Sequence, residues 1–355
     1  MAATVSSQAG ARVFLLERRS WPGGRLGIQV QLLQGPRTVF QGLNGREFGR
    51  RLAADAESAG VIVSLGSKVT DLRPRSAAPA RFSVTCASSD SPERRLLAGA
   101  VIVATGSREP SPAFQGSTLS GVMLADDAQV ELNVHARLPG NKVLMVGTDD
   151  AGLLIAASLR EAGAEIVAVV DEMPETLGRE LNAAPLRDAG VPFFTSSRVL
   201  SAHGDAAVES VTVCGLDPNG AVVPGSQRHL DVDVVCVAGP RSPNSRLVAQ
   251  TRCMIHDAPS LGGGVPIHDR WMETTERGLY VCGDGAGVEN GAISIETGRL
   301  AGLSAAAGLG YVHPSARAQE SLARRRLGYL RRGRRGGLRR AAKSRLESEH
   351  REALR

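Results

Sequence analysis

Between Lys142 and Asp171 the apolar positions change their period twice. Val143 to Val146 form an unbroken apolar run that stops at Gly147. From Gly152 onward Leu153, Leu154, Ala157 and Leu159 recur at three-to-four spacing, the mark of an amphipathic helix, and Gly163 closes it. A second apolar run, Ile166 to Val170, ends in Asp171, about 24 residues after Gly147. Strand, glycine turn, helix, strand and acid in that order predict a dinucleotide-binding βαβ unit. Gly147 would turn the chain off the strand, Gly152 would let the helix approach the sheet, and Asp171 would accept from a ribose hydroxyl. The middle glycine of the usual GxGxxG is Asp149 here, followed by Asp150. Carboxylates therefore stand where a phosphate would approach, which weakens nucleotide binding and leaves the loop a packing role.

The same pattern recurs at the start of the chain. Ala2 to Gly10 is helix-compatible, Val13 to Leu16 is a strand, and Glu17 is the acid; QAGARVFLLE and EAGAEIVAVVD align in register. The first strand and glycine loop of this second unit would lie before Met1, so the expectation is a start upstream, with another element filling the empty strand position as the alternative. Pro22, Gly23 and Gly24 form a turn that permits close backbone approach, and Arg25 could meet a phosphate. Residues 44–60 predict a helix capped by Asn44 and closed by Gly60. Strands follow in VIVSLGSKVTDL, RFSVTC and RRLLAGAVIVATG, the last leading to Thr105 and Gly106.

Residues 107–139, with several Pro and Gly, read as a connection into the central unit. VPFFTSSRVLSAHG, VESVTVCGL and VDVVCVAGP read as further strands, with DPNG as a hairpin turn. A strand at Leu279 to Cys282 then ends in Gly283 and Asp284, and a helix rich in small residues is expected at about Gly291 to Gly308. The fold class is therefore α/β, with two Rossmann-like three-layer domains, one inserted into the other. The expected boundaries are 1–110 and 263–315 for the discontinuous domain, 111–262 for the inserted one, and 316–355 for a tail.

Composition adds four constraints. A hydrophobic content of 42% fits a folded globular chain, and no apolar stretch is long enough to span a membrane. The amino terminus lacks a secretory signal, which makes cytoplasmic the default location. The net charge of +6 is unevenly spread: 14 of the 42 Lys and Arg but only four of the 36 Asp and Glu lie in 316–355, so the body is mildly acidic. The tail carries leucines among its arginines, and Gly333, Gly336 and Gly337 should interrupt any continuous helix. With little aromatic residue for base stacking, it reads as a solvated extension packing a few leucines on the body rather than a nucleic-acid arm. The five cysteines form no CxxC and no metal-ligand spacing; the three in apolar runs, Cys86, Cys236 and Cys282, read as buried small hydrophobes.

Taken together, QAGARVFLLE, PGGRLG, VIVATG, VLMVGTDDAG with VAVVD, and GLYVCGDGAG with the helix after it resemble the pyridine nucleotide-disulfide oxidoreductase superfamily. In these two-domain flavoproteins an FAD domain is split by an inserted NAD(P)H domain; here the N-terminal glycine loop is missing. Among its branches the chain is most similar to the group without a cysteine pair, related to the large subunits of sarcosine oxidase, dye-linked proline dehydrogenase and hydrogen cyanide synthase. The resemblance implies that Glu17 binds the FAD adenosine ribose, Gly23 and Gly24 the adenylate side, and Thr105 and Gly106 the dinucleotide near the domain crossing. It likewise gives Gly283 and Asp284 the ribitol or pyrophosphate, and the backbone near Asn290, Gly291 and Ala292 the flavin pyrimidine. Gly147, Gly152 and Asp171 would belong to an NAD(H) site, with the carboxylate favouring NAD over NADP.

The activity this resemblance implies is that of an FAD-dependent oxidoreductase, or an electron-transfer subunit of one, passing hydride between flavin and a nicotinamide or small amine-type substrate. Without a cysteine pair, electrons leave to another protein subunit or acceptor. The alternative is a non-catalytic subunit or truncated remnant that keeps the scaffold without cofactors. No side chain stands out as a catalytic acid or base: His256 with Asp257 and His268 with Asp269 are candidates, with a structural or solvated role favoured for each.

Overall fold

The computed structural model describes residues 1–40, 42–76, 80–88 and 91–354. They form two compact units, 1–108 with 241–355, and 109–240. Residues 241–262 cluster with the first of these: Ser242–Pro243 pairs with Ser107–Arg108, and Ile255–Ala258 with Gly263–Pro266.

The inserted unit has three layers. Its centre is a five-stranded parallel sheet in the order Phe193–Phe194, Glu165–Val170, Lys142–Val146, Val234–Val237, Val122–Leu124. A parallel sheet is covered on both faces, so its strands are apolar throughout, and successive side chains belong to different cores. Val143, Met145, Val234 and Cys236 pack with Leu153, Ala156 and Leu159 of the helix Asp150–Glu161 and with Ala183 and Leu186 of Glu180–Asp188. Leu144, Val235 and Val237 face the other way, onto Val199, Val211 and Val213 of a three-stranded antiparallel sheet. DPNG makes the expected turn: Ala221 O accepts from Asp217 N at 2.8 Å, and Asp217 O accepts from Gly220 N at 2.9 Å.

In the discontinuous unit the antiparallel sheet Lys68–Pro74, Phe82–Ser88 and Ser91–Ala98 contributes Leu72, Phe82 and Val84 to a core shared with the strands Val101–Val103 and Leu279–Val281. The helix Gly291–Gly308 closes that core with Ile293, Leu300, Ala301 and Ala305. The parallel strands make two separate pairs, Phe14–Leu16 with Ile62–Ser64 and Leu279–Val281 with Val101–Val103. The helix Gly45–Ser58 begins in a capping box, Asn44 Oδ1 accepting from Glu47 N at 2.8 Å.

Two expectations about elements need correction, and one helix has no counterpart among them. The connection 107–139 contains the strand Val122–Leu124 and the helix Ala125–Asn133, which has no side-chain cap to announce it. The helix Glu180–Asp188 forms despite Pro185, because burial of Ala183 and Leu186 outweighs the lost backbone bond. Of the tail glycines, Gly336 and Gly337 lie inside the helix Gly333–Ala353, and the chain breaks only between Leu330 and Gly333. A Cβ at Gly336 would stand 2.2 Å from Arg331 O, so the glycine permits this close return. The tail buries Leu327 and Leu346, the latter against Leu261, Val265 and Ile267. Arg355, its last residue, lies outside the described residues.

Gly147 has φ +106°, and a Cβ there would fall 2.0 Å from the carbonyl oxygen of Ala238. Gly147→Ala should therefore lower stability by about 1–3 kcal/mol from backbone conformation alone, with the clash adding to it. Urea denaturation followed by far-UV circular dichroism checks this; an unchanged midpoint would refute the tight turn.

Candidate functional site

In the inserted unit the strand Lys142–Val146 delivers the turn Gly147–Asp150 onto the helix Asp150–Glu161. A Cβ at Gly152 would lie 2.4 Å from Gly147 O, so this glycine brings helix and turn together. Gly147, Gly152 and Asp171 meet here, and the turn satisfies itself. Asp171, 9% exposed, accepts through Oδ2 from Thr148 N at 2.7 Å and Thr148 Oγ1 at 2.6 Å, and through Oδ1 from Met173 N at 2.9 Å. Asp149 caps the helix, its Oδ1 accepting from Gly152 N at 2.8 Å. Asp150 accepts from Arg179 N at 2.8 Å, Arg179 Nε at 2.9 Å and Asn182 Nδ2 at 2.6 Å. Burial opposes ionisation of Asp150, but these donors and the arginine charge hold its carboxyl below the usual range. Gly178 N donates to Thr148 O at 2.7 Å, so the segment after Asp171 bonds back to the turn.

The discontinuous unit presents a different arrangement at its strand ends. Val101, Ile102 and Val103 stand opposite Leu279, Tyr280 and Val281 in parallel register, so Thr105–Gly106 and Gly283–Asp284 emerge side by side. A Cβ at Gly285 would lie 3.7 Å from Gly106 O and 3.9 Å from Thr105 Oγ1. Thr105 Oγ1 donates to Asn244 O at 2.8 Å, and Ser107 Oγ donates to Asp284 Oδ2 at 2.9 Å while accepting from Arg241 Nε at 2.9 Å. Gly106 has φ +69° and open space where a Cβ would project. The helix Gly291–Gly308 is capped by Asn290, which accepts from Ile293 N at 3.0 Å; Gly291 is exposed and Ala292 buried.

Glu17 follows the other strand pair, its Oε1 accepting from Arg19 N at 2.8 Å. Gly24 is its neighbour, since a Cβ there would lie 3.9 Å from Glu17 Oε2. Gly23, with φ +89°, packs against Gly49, whose Cα would be 2.8 Å from an added Cβ; Arg25 is half-buried in the short 3-10 helix Gly24–Ile28.

Sequence reasoning missed Ser107 and Arg241, the residues that fix Asp284; a serine directly after the ATG tripeptide was the available signal. It also missed Lys343, buried among tail arginines and hydrogen-bonded to His268 Nε2 at 3.1 Å. His268 donates from Nδ1 to Pro266 O at 2.7 Å, and burial first, then the charge of Lys343, hold it well below its usual range. His256 pairs with Glu349 at 3.0 Å. All five cysteines are free and buried; burial pushes the Cys282 thiol up to about 11. Among the described residues no helix is long and apolar enough to cross a membrane.

Several known proteins are similar to this chain. An opine oxidase subunit of Agrobacterium tumefaciens is 28% identical over 87% of this chain and 63% of its own length. The alpha subunit of sarcosine oxidase from a Corynebacterium species is 25% identical over 87% of this chain and 31% of its own. The HcnB subunit of hydrogen cyanide synthase from Pseudomonas aeruginosa is 26% identical over 58% and 47%. The chain thus spans 63% of the length of the Agrobacterium opine oxidase subunit and 62% of its Rhizobium meliloti counterpart. Among solved structures, L-proline dehydrogenase from P. horikoshii superposes with a TM-score of 0.66 at 19% identity, covering 91% of this chain and 56% of that one. Thioredoxin reductase from T. acidophilum gives 0.68 at 18% identity, covering 86% and 93%; both show the shared fold. Residues 1–308 match the pyridine nucleotide-disulphide oxidoreductase family, a family of FAD- and NAD(P)-binding flavoprotein oxidoreductases, and the chain belongs to it.

Proposed function

We propose that this chain binds FAD in its discontinuous unit and serves as an oxidoreductase, or as the electron-transfer subunit of one, acting on a small amine-type substrate. The observation that carries the reading is the meeting of Thr105–Gly106 with Gly283–Asp284 at the carboxyl ends of paired parallel strands. Such ends are where open α/β sheets take their ligands. The donor set suits a dinucleotide. The Asp284 carboxylate, oriented by Ser107 and Arg241, accepts from a polyol hydroxyl. Gly106 leaves its backbone open to close approach. Glu17 suits a ribose hydroxyl, with Gly24 beside it.

Bound FAD would supply the two-electron chemistry itself. The chain's part is to hold the dinucleotide and position its reactive ring. The backbone at Gly291 and Ala292, opening the helix Gly291–Gly308, suits a ring that gains negative charge. No side chain is assigned as a general acid or base. Two features support an amine-type substrate and a further subunit: relatives are named for opine, sarcosine and L-proline, and several are named as subunits.

A second reading, a scaffold unit without its own nucleotide, is favoured for residues 109–240 by one observation. Asp149 and Asp171 already occupy the helix-start amide of Gly152 and the turn amide of Thr148. Nicotinamide nucleotide must displace Asp149 to reach that amide.

Fluorescence titration with FAD should give saturable binding, and Asp284→Ala should weaken it about tenfold, the cost of one charged hydrogen bond, while circular dichroism stays unchanged. A folded protein that takes up no FAD would sink the flavin reading. For the inserted unit, Asp149→Gly should tighten NADH binding about tenfold or more by freeing the helix-start amide from a carboxylate. If neither form binds NADH in equilibrium dialysis, the scaffold reading holds for that unit.

A further inference from the structure

The basic tail, together with the segment His268–Met272, borders a half-open pocket of about 180 Å³ that none of the nucleotide-site residues lines. Its walls come from the helix Gly291–Gly308 through Thr297 and Leu300, and from the two tail helices. The volume is below that of pockets for drug-sized ligands and equals the space of about six waters. Five cationic residues line it, Arg270, Arg324, Arg331, Arg340 and Lys343, against two carboxylates, Asp269 and Glu347. Arg331 is neutralised by a two-pronged pair with Glu289, at 2.8 and 2.6 Å. Arg324 is likewise paired with Glu320 at 2.8 Å, which leaves a small positive excess around the pocket.

Two of these cations are built into the cavity rather than scattered on a surface. The Arg324 guanidinium stacks over the Trp271 ring at 4.2 Å and donates from Nε to Glu320 at 2.8 Å. Its Nη2 is buried with no hydrogen-bond partner, an orphan donor on a charged group. Lys343 is 8% exposed, and its Nζ donates to Ala286 O and to His268 Nε2. His268 can only accept at Nε2, because its Nδ1 hydrogen serves Pro266 O. A charged lysine has three N–H groups, so one remains available.

We propose that this cavity binds the phosphate of a small phosphomonoester, with Arg324, Lys343 and the more exposed Arg340 as its donors. A tetrahedral dianion suits cations that arrive from separate elements better than a carboxylate, which favours one planar guanidinium fork. Burial lowers the Lys343 amine to about 7, with Glu289 and Glu347 acting to raise it and Arg331 to lower it; His268 faces it as acceptor. A bound dianion favours the ammonium form, so binding between pH 7.5 and 9 should take up protons and weaken as pH rises.

Isothermal titration of the full chain with inorganic phosphate, glycerol phosphate and succinate, in two buffers of different ionisation enthalpy, tests this. The expected result is saturable binding of both phosphates, at least tenfold weaker in Arg324→Gln, with proton uptake at pH 8 that disappears in Lys343→Met. An exposed control, Arg94→Gln, should bind as the original does. Equal affinity in Arg324→Gln and the original, no saturable heat in the original, or preference for succinate would overturn the proposal. The Lys343→Met side chain is apolar and similar in length, and circular dichroism of each variant separates lost binding from lost fold.

Discussion

Parallel strands end together, and that constraint governs the chemistry available to both units. Each strand in register hands its backbone to a turn at the same edge, where amides and carbonyls lose their sheet partners and must find others. Glycine at positive φ makes the turns possible at Gly106, Gly147 and Gly283. The groups that fill the freed hydrogen bonds then differ. In residues 109–240 the chain's own carboxylates do so: Asp149 takes an amide at the helix start, and Asp171 takes the amide and hydroxyl of Thr148. In the discontinuous unit Asp284 is held by a neighbouring serine, and the backbone at Gly106 keeps open space beside it. One architecture therefore yields a turn closed by its own carboxylates and a turn with open space beside its glycine.

The tail owes its place to buried carboxylates. Glu296, on the helix Gly291–Gly308, is 0% exposed and is met by Arg299 at 3.2 Å and by Arg326 of the tail at 2.8 Å. Glu289 is met by Arg331 in the same manner. A buried charge left alone is costly, so these arginines are required where they stand; the pairs specify the docking of the tail more than they add net stability. Arg326 and Arg331, two of the tail's basic residues, are thus used in docking it.

The legibility of each element in the sequence depends on how local its determining forces are. The helix Gly45–Ser58 is readable because Asn44 and Glu47 form its cap within one turn of chain, and Gly291–Gly308 because small residues and a glycine boundary mark it. The strand–turn–helix around Gly147 is readable for the same reason. The packing role expected of Gly152 is met, and the closeness of Gly147 O gives the distance. The helix Ala125–Asn133 is hidden because it lacks a side-chain cap, and Glu180–Asp188 because proline propensity opposes it while tertiary burial decides it. Gly336 and Gly337 mislead in the opposite sense: helix propensity penalises glycine, yet the return of the chain at Arg331 needs one. The partners of Asp284 lie 177 residues away in the case of Ser107, and no local pattern announces such a bond.

The tail and the strand-end turn are parts of one construction. Glu289, which anchors Arg331, also donates its backbone N–H to Asp284 Oδ1 at 3.4 Å, while Lys343 donates to the carbonyl of Ala286 within the same turn. The loop from Gly283 to Asn290 is therefore fixed from three sides: Ser107 orients its carboxylate, Arg331 holds its exit, and Lys343 holds its backbone. A carboxylate can bind a hydroxyl at a defined position only if its own rotamer is locked, and the locking groups here come from both ends of the sequence. This explains why a residue as costly to bury as Lys343 is retained in the interior: its amine caps a carbonyl that the turn would otherwise leave unsatisfied. The basic tail accordingly supports the loop that carries Asp284, through residues beyond 308, where the family match ends.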